Sequence, residues 1–188
     1  MSYVAFWADF IKYAVSLANE LQSGNKRKTF DAIDGLLRSH SLDFCFDITT
    51  NETGCLVIFS PEGRFDDALS IDELLRAAPS LTAWTFLGRR PKKNLYDVAA
   101  IIRRLYILDP LQMRYRLQTE REGSVIEMIV PSTVDLSLEE SKGMVNTFLW
   151  HAIGERRVMD QGIRGNVIFH DKPFEPTLSA EELMSLLE

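Results

Sequence analysis

The sequence predicts an α+β protein, with a mainly antiparallel sheet built from two hairpins plus single strands and covered by about four to five helices. Three observations carry this prediction. LDFCFDITTNETGCLVIFS and MRYRLQTEREGSVIEMIV each hold two strand-like apolar runs on either side of a turn. Segments with apolar residues three and four apart flank both of them. No internal repeat, low-complexity tract or interdomain linker interrupts the chain, so one domain over residues 1–188 is expected.

At the N-terminus, Tyr3, Trp7, Phe10, Ile11, Ala14, Leu17, Ala18 and Leu21 recur at helical spacing, while Asp9, Lys12, Ser16, Asn19 and Glu20 fall elsewhere. An amphipathic helix therefore runs to a stop near Gly24. A second helix is expected over 27–39, with Phe30, Ile33 and Leu37 on one side. In the first hairpin, setting Phe44, Phe46 and Ile48 opposite Ile58, Leu56 and Gly54 gathers the large apolar residues on one face. Cys45 then faces Val57 and Cys55 faces Asp47, so the thiols are diagonal neighbours and both are expected to be free. The spacing predicts a helix over 66–78 that Pro79 ends, because a proline penalises helical geometry in the residue before it. Ser70 and Glu73 carry the spacing of a capping box for a later start.

A short strand is expected over 83–87 and a helical turn or two over 97–104. In the second hairpin Met113, Tyr115 and Leu117 match Val130, Met128 and Ile126, which sets Arg116 opposite Glu127 on the outer face. Ser137 and Glu140 have capping-box spacing ahead of a helix that Gly154 terminates. A strand over 166–170 and a helix from Ser179 follow, separated by the loop residues Asp171-Lys172-Pro173 and Glu175-Pro176.

Composition narrows the classes of function. The 188 residues are 46% hydrophobic and 26% charged with a net charge of -6, values that argue against disorder and against general nucleic-acid affinity. Two cysteines without Cys/His pairs at ligand spacing argue against a disulfide framework and a zinc site, and imply a reducing compartment. Asp9 and Lys12 interrupt the apolar N-terminal run, and no cationic region or cleavage site accompanies it. No stretch has the uncharged length of a membrane span. The expectation is a cytoplasmic protein with no membrane segment, no metal and no cofactor.

Charge is segregated along the chain. Between Gly88 and Arg121 nine cations stand against the three acids Asp97, Asp109 and Glu120, within a chain that is acidic elsewhere. The run AWTFLGRRPKK places Arg89, Arg90, Lys92 and Lys93 at the end of a strand, with Arg103 and Arg104 a few residues on. Paired arginines can grip a carboxylate or phosphate in fork geometry, and Pro91 limits the loop's freedom. These six residues are the candidate anion- or partner-binding site. The plainer reading is a solvated loop whose cations satisfy carboxylates elsewhere in the chain. Tyr96, Tyr106 and Tyr115 lie nearby but match no RNA-binding signature, so a nucleic-acid partner is not expected.

No catalytic constellation is recognisable. His40, His151 and His170 have no nucleophile at a recognisable spacing, and a histidine near a helix C-terminus such as His151 is explained by the helix dipole. Gly154-Glu155-Arg156-Arg157 reads as a glycine stop and a solvated turn, the alternative being Glu155 as a general base. Gly162-Ile163-Arg164-Gly165 lacks phosphate-loop spacing and reads as a flexible approach to the last strand. Asp66, Asp67, Asp72 and Glu73 suit the positive end of a helix better than a metal.

The hairpin LDFCF…CLVIFS, the helix ending ELLRAAPSL, the strand AWTFLGRRP and the late helix ending HAIGE together resemble a domain of unknown function found in small uncharacterised bacterial proteins. The resemblance covers about residues 42–155; here Leu87 and Gly88 separate Phe86 from Arg89, which the relatives' Phe-Arg-Pro stretch does not. It implies a bacterial, cytosolic α+β protein and no activity. The favoured expectation is a non-enzymatic binding or accessory protein, of the inhibitor or immunity type, that presents a basic surface to an acidic protein partner. One alternative is a small enzyme on an anionic small molecule, with Arg89 and Arg90 holding the anion and Glu155 or His151 transferring protons. Another is a homodimer joined by the helix face around Trp7 and Phe10.

Overall fold

The computed structural model describes residues 3–52, 54–170 and 176–187. The class is α+β, as the sequence predicts. The chain divides into two compact units, Met1–Arg90 and Pro91–Glu188, each with its own three-stranded sheet and apolar core.

The first unit runs α1 (Tyr3–Gln22), α2 (Lys26–Ser39), β1 (Cys45–Asn51), β2 (Gly54–Ser60), α3 (Phe65–Arg76) and β3 (Trp84–Gly88). β1 and β2 form an antiparallel hairpin, and β3 joins the other side of β2 in parallel. A parallel partner needs a crossover, which α3 supplies. α1 buries Phe6, Trp7, Phe10, Ala14 and Leu17. The two buried indoles also find polar partners on this face: Trp7 Nε1 donates to the Leu74 carbonyl at 2.7 Å, and Trp84 Nε1 to the Ala14 carbonyl at 2.9 Å. Trp7 meets Phe86 edge-on with ring centroids 4.6 Å apart, an arrangement that adds about 1 kcal/mol to the area term. Trp7 and Phe10 are 2% and 1% exposed, so the face expected to join a homodimer is this unit's core.

The hairpin register corrects the expectation. Phe46 faces Phe59, Ile48 faces Val57 and Asn51 faces Gly54. β2 is apolar at both parities, so alternation could not choose between registers, and the tight turn that brings Asn51 opposite Gly54 decides it. Cys45 now pairs with Ser60 and Cys55 with Thr50, which sets the two free thiols on opposite faces. Likewise α3 begins at Phe65, so Ser70 and Glu73 lie inside the helix rather than capping it.

The second unit runs α4 (Leu95–Tyr106), a 3₁₀ turn (Pro110–Gln112), β4 (Arg114–Glu120), β5 (Gly123–Val130), α5 (Leu138–Leu149), a π turn (Trp150–Gly154), α6 (Glu155–Asp160), β6 (Ile163–Phe169) and α7 (Ala180–Leu187). The β4–β5 register is the predicted one, with Tyr115 opposite Met128 and Arg116 opposite Glu127. β6 joins β5 in parallel. Ser137 and Glu140 close the predicted capping box, and Ser179 with Glu182 builds a second one ahead of α7. Gly154, at φ +95°, does not end the helical run: α6 follows the π turn directly. Ile163 to Gly165 belong to β6, not to a flexible approach. The loop expected at Asp171-Lys172-Pro173 and Glu175 lies outside the described residues.

The two units share one topology that the residues do not advertise. In each, an antiparallel hairpin is followed by a helical crossover and a third strand parallel to the hairpin's second. The match extends to a glycine opening the second strand. A Cβ on Gly54 (φ +135°) would lie 2.7 Å from the Ala83 carbonyl oxygen, and one on Gly123 (φ +146°) 2.3 Å from that of Gly162. Ala83 and Gly162 each immediately precede the third strand. The glycine lets that strand's backbone come close enough to pair. We predict that Gly123→Ala, which meets both a positive φ and a backbone clash, destabilises the protein by about 3 kcal/mol. Gly24→Ala, at φ +90° with open space around it, costs about 1 kcal/mol. Urea unfolding followed by circular dichroism separates the two.

Candidate functional site

The six candidate cations have different fates. Gly88 ends β3 directly under α3, where a Cβ would lie 2.8 Å from Leu75 Cδ1 and 2.9 Å from Ile71 Cγ2. Arg89 then turns back at φ +84°, with its N–H donating to the Phe59 carbonyl at 2.7 Å. Its guanidinium forks onto Asp72 of α3, Nη1 to Oδ1 at 2.5 Å and Nη2 to Oδ2 at 2.9 Å. The Arg89 side chain is 10% exposed, so this bidentate pair latches the crossover helix to the end of the strand it feeds.

Arg90 does the same on the hairpin. Its Nε donates to Asp47 at 2.9 Å and its Nη1 to Ser60 Oγ at 2.5 Å, with Glu62 at 3.6 Å from Nη2. Arg90 is 11% exposed and Ser60 is fully buried. Glu62 also faces Cys45. Burial first, and then the Glu62 carboxylate, push that thiol up to about 11.

Beyond the unit boundary, Lys92 is exposed and Lys93 half-buried. The Lys93 N–H donates to the His151 carbonyl in the π turn at 2.7 Å, and the Lys92 backbone passes beside Gly154. Arg103 pairs with Asp109 at 2.8 Å, whereas Arg104 is exposed and makes no ion pair among the described residues. The other cations of the stretch are Arg114, on Thr177; Arg116, on Glu127; and Arg121, which is exposed. The plainer sequence reading thus describes Arg89, Arg90, Arg103 and Arg116, each of which pairs with an acid of its own unit.

The remaining candidates are equally placed by folding. Asp66 and Asp67 open α3, and Asp67 pairs with Arg64 at 2.5 Å. Among the described residues no group of three or more His, Cys, Asp or Glu is placed to hold a metal ion, and no helix is long and apolar enough to cross a membrane. His40 caps α2 and meets Asp9 at 3.0 Å. Lys12 first, and then His40, hold the Asp9 carboxyl below its usual range. Glu155 is fully buried at the start of α6 and not in a solvated turn. Of the groups named for catalysis, Arg89 and Arg90 pair with carboxylates of the first unit, and His151 and Glu155 are residues of the second.

One feature escaped the sequence reading. α4 continues to Tyr106 and is capped by Ile107 in the left-handed conformation, φ 59°, with 92% of that residue exposed. Tyr96, Ala100, Arg103 and Ile107 follow i, i+4, i+7, i+11 spacing on the exposed side of α4, with Arg104 beside them. The 3.6-residue period was present in the sequence, but the helix was expected to stop short of Ile107. No protein-family profile and no curated protein matches the chain.

Two outcomes follow from the site. Asp72→Asn is expected to cost about 2 kcal/mol by stranding the mostly buried Arg89, while Arg104→Ala changes stability by less than about 0.5 kcal/mol. Chemical denaturation reads both. With its thiol near 11, native Cys45 should alkylate at pH 8 roughly 100-fold more slowly than in the unfolded chain, and Glu62→Gln should quicken it. Iodoacetamide labelling read by mass spectrometry gives the rates.

Proposed function

We propose that the protein is a non-enzymatic binding protein that engages an acidic protein partner through the outer face of α4, with Arg104 as the uncommitted charge and Tyr96 and Ile107 as aromatic and aliphatic contacts. The observation that carries this reading is Ile107. A β-branched residue in the left-handed region costs about 1–2 kcal/mol relative to glycine, and full exposure of its side chain recovers none of that. Folding alone would favour glycine at this cap. An aliphatic side chain kept in water at a strained position, beside an exposed tyrosine that is 76% in solvent and an exposed arginine with no ion pair among the described residues, has the composition of an interface hot spot.

The charge argument supports the same partner. Arg104 remains available to a carboxylate, whereas Arg89 and Arg90 already have theirs. The basic site moves, in this reading, from the end of β3 to α4, with Lys93 ahead of the helix in the chain.

Affinity capture from a bacterial lysate tests the reading with three forms of the protein. Wild type is expected to retain an acidic partner that Arg104→Glu and Ile107→Gly both lose. Ile107→Gly should at the same time raise Tm by a few degrees, corresponding to about 1 kcal/mol. Identical partners for all three forms would overturn the proposal.

A further inference from the structure

α1 is apolar on more of its circumference than its own unit covers. Besides the buried arc, Val4, Ile11 and Val15 are 68%, 48% and 76% exposed, and Ala8 between them is exposed as well. Positions 4, 8, 11 and 15 have the 4-3-4 spacing of a coiled-coil seam, over about 17 Å of helix. The seam carries no charge, and the nearest cation, Lys12, is paired with Asp9 on its own helix at 2.7 Å.

We infer that α1 is a homodimerisation surface, on which a second copy of α1 packs antiparallel along Val4, Ala8, Ile11 and Val15. The seam is self-complementary in that direction. A two-fold axis between positions 9 and 10 sets Val4 against Val15 of the second copy and Ala8 against its Ile11, so that a small residue faces a large one in each inner layer. Parallel packing would instead stack Ala8 on Ala8 and leave a gap. The same two-fold directs each Lys12 toward the second copy's Ala5 and brings no like charges together, whereas an acidic or basic partner helix would find no counter-charge along the stripe. Size sets the strength: four side chains cover roughly half of the ~800 Å² that each partner gives a standard interface, so the dimer is weak and reversible, with a Kd on the order of 100 μM. This surface lies in the first unit and is independent of the α4 reading.

Sedimentation equilibrium and cysteine cross-linking on the full chain test it. Wild-type weight-average mass should rise from 21.5 kDa toward twice that value as concentration passes from about 10 μM to about 1 mM. Ile11→Lys, at a half-exposed position, should stay monomeric at every concentration with an unchanged circular dichroism spectrum. Mixing the Val4→Cys and Val15→Cys proteins under mild oxidation should give the mixed disulfide in at least about tenfold excess over either homodisulfide, with wild type as the background for the native thiols. A wild-type monomer up to 1 mM would overturn the inference, and so would a dimer that survives Ile11→Lys. Cross-links between like positions would overturn the antiparallel seam.

Discussion

Each unit depends on a central strand that pairs antiparallel on one side and parallel on the other. The antiparallel side comes at little cost, because a tight turn suffices. The parallel side demands a helix-length excursion that must return to the far edge of the same strand. Much of what is special in the sequence serves that return. Gly54 and Gly123 let the third strand approach where it begins. Gly88 and Gly165 lie under the crossover helices, Gly165 with Val145 Cγ2 only 2.5 Å from where a Cβ would stand. Arg89 then ties the end of β3 to Asp72 of the helix that preceded it.

This explains why an acidic chain keeps so many cations in its middle third. A strand end where several elements converge gathers backbone carbonyls and carboxylates from different parts of the chain, and arginine is the side chain that can serve two of them at once. Arg90 bonds a β1 carboxylate and a β2 hydroxyl; Arg114 bonds both the hydroxyl and the carbonyl of Thr177. For Arg89, Arg90, Arg103 and Arg116, the segregation of charge in the sequence is the trace of local neutralisation in the fold. The strain of Arg89 at φ +84° is tolerated because its ladder bond to Phe59 and its fork onto Asp72 both require that turn.

What could be read beforehand follows the same physics. The β4–β5 register was legible because Tyr115 and Leu117 alternate strictly with Arg114 and Arg116, so a slip of one residue would bury charge. In β2, Cys55, Val57 and Phe59 face the core while Leu56 and Ile58 are also apolar, and pattern had nothing to discriminate. Capping at Ser137 was legible because it is a contact between neighbours. The Arg89–Asp72 pair spans 17 residues and the Arg90–Asp47 pair 43, and neither spacing means anything until the sheet exists. The shared topology of the two units was hidden for a related reason: it is held by a few glycines and by strand order, while the residues that fill the two cores differ.

The surfaces left over can be separated by asking what folding would have chosen. An exposed valine or isoleucine costs a soluble helix little on its own, and scattered cases need no explanation. The stripe on α1 differs because three such positions, Val4, Ile11 and Val15, fall in register with Ala8 at a coiled-coil spacing beside the helix's buried arc. Ile107 differs because strain and exposure coincide at one residue, and the two have separate physical origins: the first is paid in backbone geometry, the second in hydration. A stability-only pressure would remove both with a single glycine. That the chain keeps an isoleucine there, while placing glycine at the crowded positions Gly54, Gly88, Gly123 and Gly165, is the reason to look for the protein's contacts on its helices.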